Sequence, residues 1–176
     1  PILCLCTQSR NKRLFRAYVS FGMKAIGVLI SILVIGNVAM TQVNWVRFES
    51  LSDSMGLTPK PIVVFIHAPW CNYCKMMQKF VFKDDVLSRL LNQDYYSIAL
   101  DAETTDTIRY RGMDFAPEMQ PNGKLLNRLA MKIGAVDGKL TYPTTVFLDS
   151  NLNVVAQFQG YLNKDEFGIV LKTLTK

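Results

Sequence analysis

Apolar positions along this chain change their period several times, and each change marks an element. Trp45, Phe48 and Leu51 recur every third residue ahead of the turn-prone stretch from Gly56 to Pro61, which predicts the buried face of a short first helix. Ile62 to Ile66 is an unbroken, largely β-branched run, the pattern of a central strand covered on both faces. Met76, Met77, Phe80 and Val81 then follow at helical spacing. Val86, Leu87, Leu90 and Leu91 continue that spacing behind Asp84 and Asp85, either of which suits a helix cap. Tyr95 to Leu100 reads as a second buried strand ending near Asp101, and Leu125, Leu126, Leu129 and Ile133 predict a helix that stops at Gly134. Two apolar segments, Thr144 to Leu148 and Asn153 to Phe158, flank a polar turn and predict an antiparallel hairpin that Gly160 breaks. Asn163 with Glu166 three residues on forms a capping box, and Phe167, Val170, Leu171 and Leu174 give the last helix its apolar face.

The resulting order is β-α-β-α-β-β-α, with a further short strand near Val43. Such alternation predicts an α/β domain whose central mixed sheet is flanked by helices. Glu103 to Lys124 fits none of these periods. It holds Gly112, Pro117, Pro121 and Gly123 between alternating Ile108, Tyr110 and Met113, Phe115, so it reads as an inserted segment before the penultimate helix: a small hairpin or lid, or a packed surface excursion.

Charge adds a statement about the amino terminus. The net charge of +6 comes from Arg10, Lys12, Arg13, Arg16 and Lys24, with no acid among them, while the remaining fifteen basic residues face fourteen acids. A nearly neutral body has no electrostatic footprint for a phosphate backbone, so nucleic acid is not an expected partner. Lys24 precedes an apolar run, Ala25 to Met40, laid out as a secretory signal peptide. A spanning helix needs about twenty apolar residues, so this run is a cleaved signal or a short membrane anchor. The expected organisation is therefore residues 1–22 as an upstream extension, with Met23 as the start, residues 23–41 as the signal or anchor, and residues 42–176 as one domain. On this view Cys4 and Cys6 serve no purpose, since a lone C-x-C lacks the further ligands a metal needs.

The chemistry is concentrated at Cys71 and Cys74. Two cysteines separated by Asn72 and Tyr73 at a helix start can close a small disulfide, and the helix's unpaired N–H groups favour a thiolate at the first. Attack by Cys71 on a substrate disulfide, followed by attack of Cys74 on Cys71, would reduce the substrate; the reverse would oxidise a dithiol. A zinc half-site and a plain structural disulfide are the alternatives. The only histidine is His67, so the four ligands zinc prefers are not at hand, and the loop such a disulfide would close is too short to stabilise much.

Ala68-Pro69-Trp70-Cys71-Asn72-Tyr73-Cys74-Lys75, with Tyr142-Pro143-Thr144 much later, resembles the thioredoxin superfamily over about residues 43 to 176. The resemblance is to secreted thioredoxin-related proteins. It implies the thioredoxin fold, a cis Pro143 facing the cysteines, a Tyr142 backbone that holds extended substrate, and a Trp70 that shields the pair and touches substrate. It implies no cofactor beyond the redox-active Cys71–Cys74 disulfide. Many thioredoxins carry a buried acid where this chain has Phe65, which leaves Asp101, Glu103 or a water to accept the Cys74 proton. His67 is a candidate to tune the Cys71 thiolate, against a packing role, and Asn72 and Tyr73 help set the redox potential. With no histidine between the cysteines, a protein disulfide reductase is expected rather than a strong oxidant. Met76, Met77 and Phe80 are read as core ahead of docking surface. The expected setting is a bacterial periplasm, because the last residues carry no endoplasmic-reticulum retention signal. The expected partners are protein thiols and disulfides and a membrane thiol–disulfide electron donor, and the protein is expected to be a monomer. An oxidase or isomerase, or a thioredoxin-fold binding or chaperone module, are the rival functions.

Overall fold

Alternation along one strand divides the molecule. In a computed structural model describing residues 42–174, strand β1 (Ile62–His67) is buried along its whole apolar run. Successive side chains of a strand point to opposite faces. Ile62, Val64 and Ile66 therefore enter one apolar cluster, and Val63 and Phe65 enter another. Parallel to β1 lies β2 (Tyr96–Asp101), and antiparallel to it on the other side lies β7 (Thr144–Leu148), which pairs in turn with β8 (Val154–Gln159). The four make one mixed sheet in the order β2-β1-β7-β8.

Helices cover both faces. The first cluster packs the sheet against α1 (Phe48–Leu57) and α4 (Arg128–Gly134) through Phe48, Leu51, Leu129 and Ile133. The second packs it against α2 (Asn72–Phe80), α3 (Asp85–Asp94) and α5 (Lys164–Leu174) through Met77, Leu91, Phe167 and Leu171, and it includes both cysteines. The caps form where the sequence offers them. Asp84 accepts from the backbone N–H groups of Val86 and Leu87, and Asn163 and Glu166 satisfy each other's backbone N–H groups in a reciprocal box.

The inserted segment is two antiparallel hairpins: β3 (Ile108–Tyr110) with β4 (Met113–Phe115), and β5 (Pro117–Met119) with β6 (Leu125–Asn127). Arg111 and Gly112 both have positive φ, which a two-residue hairpin turn of this hand requires. Ile108, Tyr110 and Phe115 turn inward and join the first cluster, so this segment is packed onto the body.

Three expectations need correction. Leu125 and Leu126 belong to β6, not to a helix: they pair with Met119 and Glu118, and α4 starts only after Asn127. Trp45 does not share a helix face with Phe48 and Leu51. It forms a single parallel bridge to Ser97 beside β2, and its indole meets Phe82 edge-on at 5.0 Å, in the layer opposite to α1. The short strand expected near Val43 is reduced to this bridge. Residues 1–22, Cys4 and Cys6, and the apolar run Ala25 to Met40 lie outside the described residues.

Candidate active site

Strand β1 ends at His67, and Ala68-Pro69-Trp70 turns the chain so that Cys71 caps α2. The Cys71 N–H donates to the Ala68 carbonyl at 3.1 Å, and its Sγ accepts from the Cys74 N–H at 3.1 Å. The two sulfurs form a disulfide, with 5.3 Å between the Cα atoms. Cys74 is 1% exposed and Cys71 5% exposed, so both sulfurs sit at the top of the second apolar cluster rather than on an open surface. A sulfur at a helix N-terminus that receives a backbone N–H is placed to be stabilised as a thiolate once the bond opens.

Phe65 is fully buried in the same cluster as the cysteines and carries no ionisable group. His67 stacks on the Phe65 ring at 5.5 Å. Burial lowers its pKa from 6.5, only partly offset by Asp101, which favours the neutral imidazole. Asp101 turns the chain after β2 by accepting from the Glu103 N–H at 2.9 Å, and Glu103 in turn binds Trp70. Neither acid is placed beneath the cysteines by any contact seen among the described residues.

Around the disulfide stands a wall of aromatic side chains. Trp70, 55% exposed, meets Tyr142 edge-on at 5.6 Å, and both carboxylate oxygens of Glu103 lie 3.0 Å from its indole Nε1. The Tyr142–Pro143 peptide is cis, and the Pro143 carbonyl accepts from the Gly160 N–H at 2.7 Å. Tyr142 packs against both apolar clusters, and its phenol is pushed up to about 12, first by burial and then by Glu103 and Asp101. Between the two cysteines, Tyr73 is 61% exposed and leans toward Tyr161 with 6.3 Å between ring centroids. Asn72 is the exposed first residue of α2. Met77 is core, whereas Met76 and Phe80 are exposed, so the expectation that all three are core fails for two of them. Their three-residue and four-residue spacing puts them on the outer flank of α2, beside Tyr73.

Sequence reasoning missed two residues that shape the site. Lys124, immediately ahead of β6, holds its Nζ 5.2 Å from the centroid of the Trp70 ring. Asn127, fully buried, caps α4 through the Leu129 N–H and donates to the carbonyls of Asp106 and Phe115, which ties the inserted hairpins to the body. An Asn just ahead of Leu129 and Ile133 is a cap signal that the sequence did contain. Among the described residues, no three His, Cys, Asp or Glu side chains gather as a metal site would.

Residues 53–175 match the thioredoxin-like domain family. Among solved structures, the chain is similar to one described as DsbH oxidoreductase, at 13% identity and TM-score 0.54, covering 80% of this chain and 89% of that one. It is similar to a thioredoxin from Thermus thermophilus at 21% identity and TM-score 0.54, covering 76% and 87%, and to a thioredoxin-fold protein from Helicobacter pylori at 16% and 0.52, covering 66% and 70%. Identities this low speak for the fold alone, and no curated protein matches. With the family matched across more than half its length and the paired cysteines capping α2, the chain belongs to the thioredoxin-like family.

Proposed function

We propose that this protein is an exported thiol–disulfide oxidoreductase that reduces protein disulfides through Cys71 and Cys74. The observation that carries the reading is a disulfide closed across the first turn of α2, with the Cys71 sulfur receiving a backbone N–H and aromatic side chains ringing the site. In the reduced protein the Cys71 thiolate attacks one sulfur of a substrate disulfide. A Cys71–substrate bond forms, and the other substrate sulfur leaves as a thiolate that takes a proton. Cys74 gives its proton to solvent, since Phe65 offers no acceptor, and attacks the Cys71 sulfur. The second substrate thiolate leaves, the protein disulfide closes, and two electrons have passed to the substrate. A dithiol donor must return those electrons, and in an oxidising compartment that supply comes through the membrane.

Trp70 and Tyr142 form the wall along which substrate lies, and the cis Pro143 follows Tyr142 directly in the chain. The reducing direction is supported by the residues between the cysteines, since neither Asn72 nor Tyr73 is cationic, and by His67, whose burial disfavours the charged form; a fixed positive charge at these positions would over-stabilise the reduced form. Export is supported by Lys24 and the apolar run Ala25 to Met40 that follows it. The test is the equilibrium reduction potential of the pair, measured in redox buffers with alkylation of free thiols. A value near about −270 mV supports a reductase, and one near about −120 mV overturns the direction in favour of an oxidase.

A further inference from the structure

Two oppositely charged side chains, drawn from the two ends of the inserted segment, meet on one indole. Glu103 accepts from Trp70 Nε1 with both oxygens at 3.0 Å, and Lys124 places its ammonium 5.2 Å from the centroid of the same ring. Each contact suits its group: a carboxylate is a strong acceptor for the indole N–H, and a cation is drawn to the electron-rich ring. Neither side chain hangs from a loose loop. The Glu103 N–H is tied to Asp101. Lys124 follows a tight turn in which the Gln120 N–H donates to the Lys124 carbonyl at 2.8 Å and the Gly123 N–H to the Gln120 carbonyl at 2.9 Å. Asn127 then fastens both hairpins to α4.

An indole left more than half exposed has rotamer freedom to lose whenever substrate needs it as a wall. Here that freedom is restricted beforehand, and Tyr142 is the surface against which the ring is held. We propose that Glu103 and Lys124 are positioning residues for Trp70, and that through them the inserted segment determines which disulfides the Cys71–Cys74 pair accepts. The proposal rests on the thiol–disulfide function above. A preset wall favours a disulfide carried on an extended protein segment, because ordering it costs less once the wall is already ordered. It matters little to a small disulfide that reaches the Cys71 sulfur without lying along the wall.

The test compares single-turnover rate constants of pre-reduced protein with insulin, as the protein disulfide, and with oxidised glutathione, as the small one. Glu103→Ala and Lys124→Met should each lower the ratio of the two constants about fivefold, the scale of one exposed charge-assisted contact. Glu103→Gln, whose amide oxygen still accepts the indole N–H, should recover most of the ratio. Emission of Trp70 in a Trp45→Phe background should shift in the Ala and Met variants and stay in place in the Gln variant. Equal slowing toward both disulfides, as loss of a proton acceptor would produce, or an unshifted emission, would overturn the proposal. A parent protein inert toward both disulfides would instead overturn the function on which the proposal rests, and the emission would still report separately on the clamp.

Discussion

Replacing Asn127 with alanine tests how the inserted segment is held. The side chain is fully buried and makes three bonds: its Oδ1 accepts from the Leu129 N–H at 2.9 Å, and its Nδ2 donates to the carbonyls of Asp106 at 3.0 Å and Phe115 at 3.1 Å. Loss of the helix cap costs about 1 kcal/mol. The Phe115 carbonyl is bonded in a buried setting and loses a donor there, at about 1–2 kcal/mol, whereas the Asp106 bond is only part-buried and costs about half as much. The sum is about 3 kcal/mol, which in a domain of this size lowers Tm by about 10 °C. Domains of this kind have about 5–15 kcal/mol to lose, so the variant still folds. Urea unfolding with a shared m-value gives the loss directly, and hydrogen exchange locates it: amides of residues 103–127 should exchange faster than those of β1. Asn127→Asp keeps the acceptor for Leu129 but, ionised, offers neither donor, so it should be destabilised at least as much. A loss under about 1 kcal/mol for Asn127→Ala, or an Asp variant as stable as the parent, would refute the reasoning.

Cys74→Ala should leave Cys71 able to attack yet unable to resolve, so a Cys71-linked mixed disulfide accumulates on non-reducing gels; Cys71→Ser should form none. His67 has its pKa lowered from 6.5 in the folded protein, so the unfolded chain binds the extra proton first. Its contribution to stability is complete above pH 6.5 and is lost as the pH falls below that value toward the folded pKa; urea titrations at about pH 7.5 and about pH 5.5 should show a smaller loss in His67→Gln than in the parent. A Cβ at Gly134 would run into Ile66 Cδ1 and lie 2.9 Å from Leu140 Cδ1, so Gly134→Ala should cost about 1–3 kcal/mol by overpacking, and Ile66→Val in the same protein should recover part of it by removing the closest atom.

The elements legible in the sequence are those whose signals are local. β1 announces itself by five consecutive buried apolar residues, α3 by the Asp84 cap, and α5 by a capping box four residues long, and each formed where its own residues dictate. The elements misread depend on partners elsewhere in the chain. Leu125 and Leu126 carry a short apolar run that suits either a helix or a strand, and only their pairing with Met119 and Glu118 settles it. Trp45 has helical spacing to Phe48, yet its side chain goes to Phe82 in the opposite layer because the chain first pairs with Ser97. At the site, the cysteine pair is a sequence signal, whereas the clamp on Trp70 joins residues 33 positions apart at Glu103 and still further apart at Lys124. No spacing rule connects such positions; the hairpin turn that delivers Lys124 has to form first.

The chain ahead of α1 does more than lead into the domain. The side-chain amide of Asn92 bonds the Asn44 N–H and the Gln42 carbonyl, both at 2.8 Å, much as a neighbouring strand would, and the Val46 N–H donates to the Ser97 carbonyl at 2.8 Å. Residues 42–46 thereby occupy part of the outer margin of β2, whose hydrogen-bonding groups would otherwise invite another chain. At the far margin, no strand among the described residues pairs with the outer side of β8, and a bulge opposite Phe147 and Leu148 interrupts its regularity. Unpaired sheet margins are templates for self-association. A protein begun at residue 53, where the family match begins, would thus lack Val43, Phe48 and Leu51 from its core and would uncover the margin of β2. Aggregation during preparation, not a loss of redox chemistry, would be its first symptom.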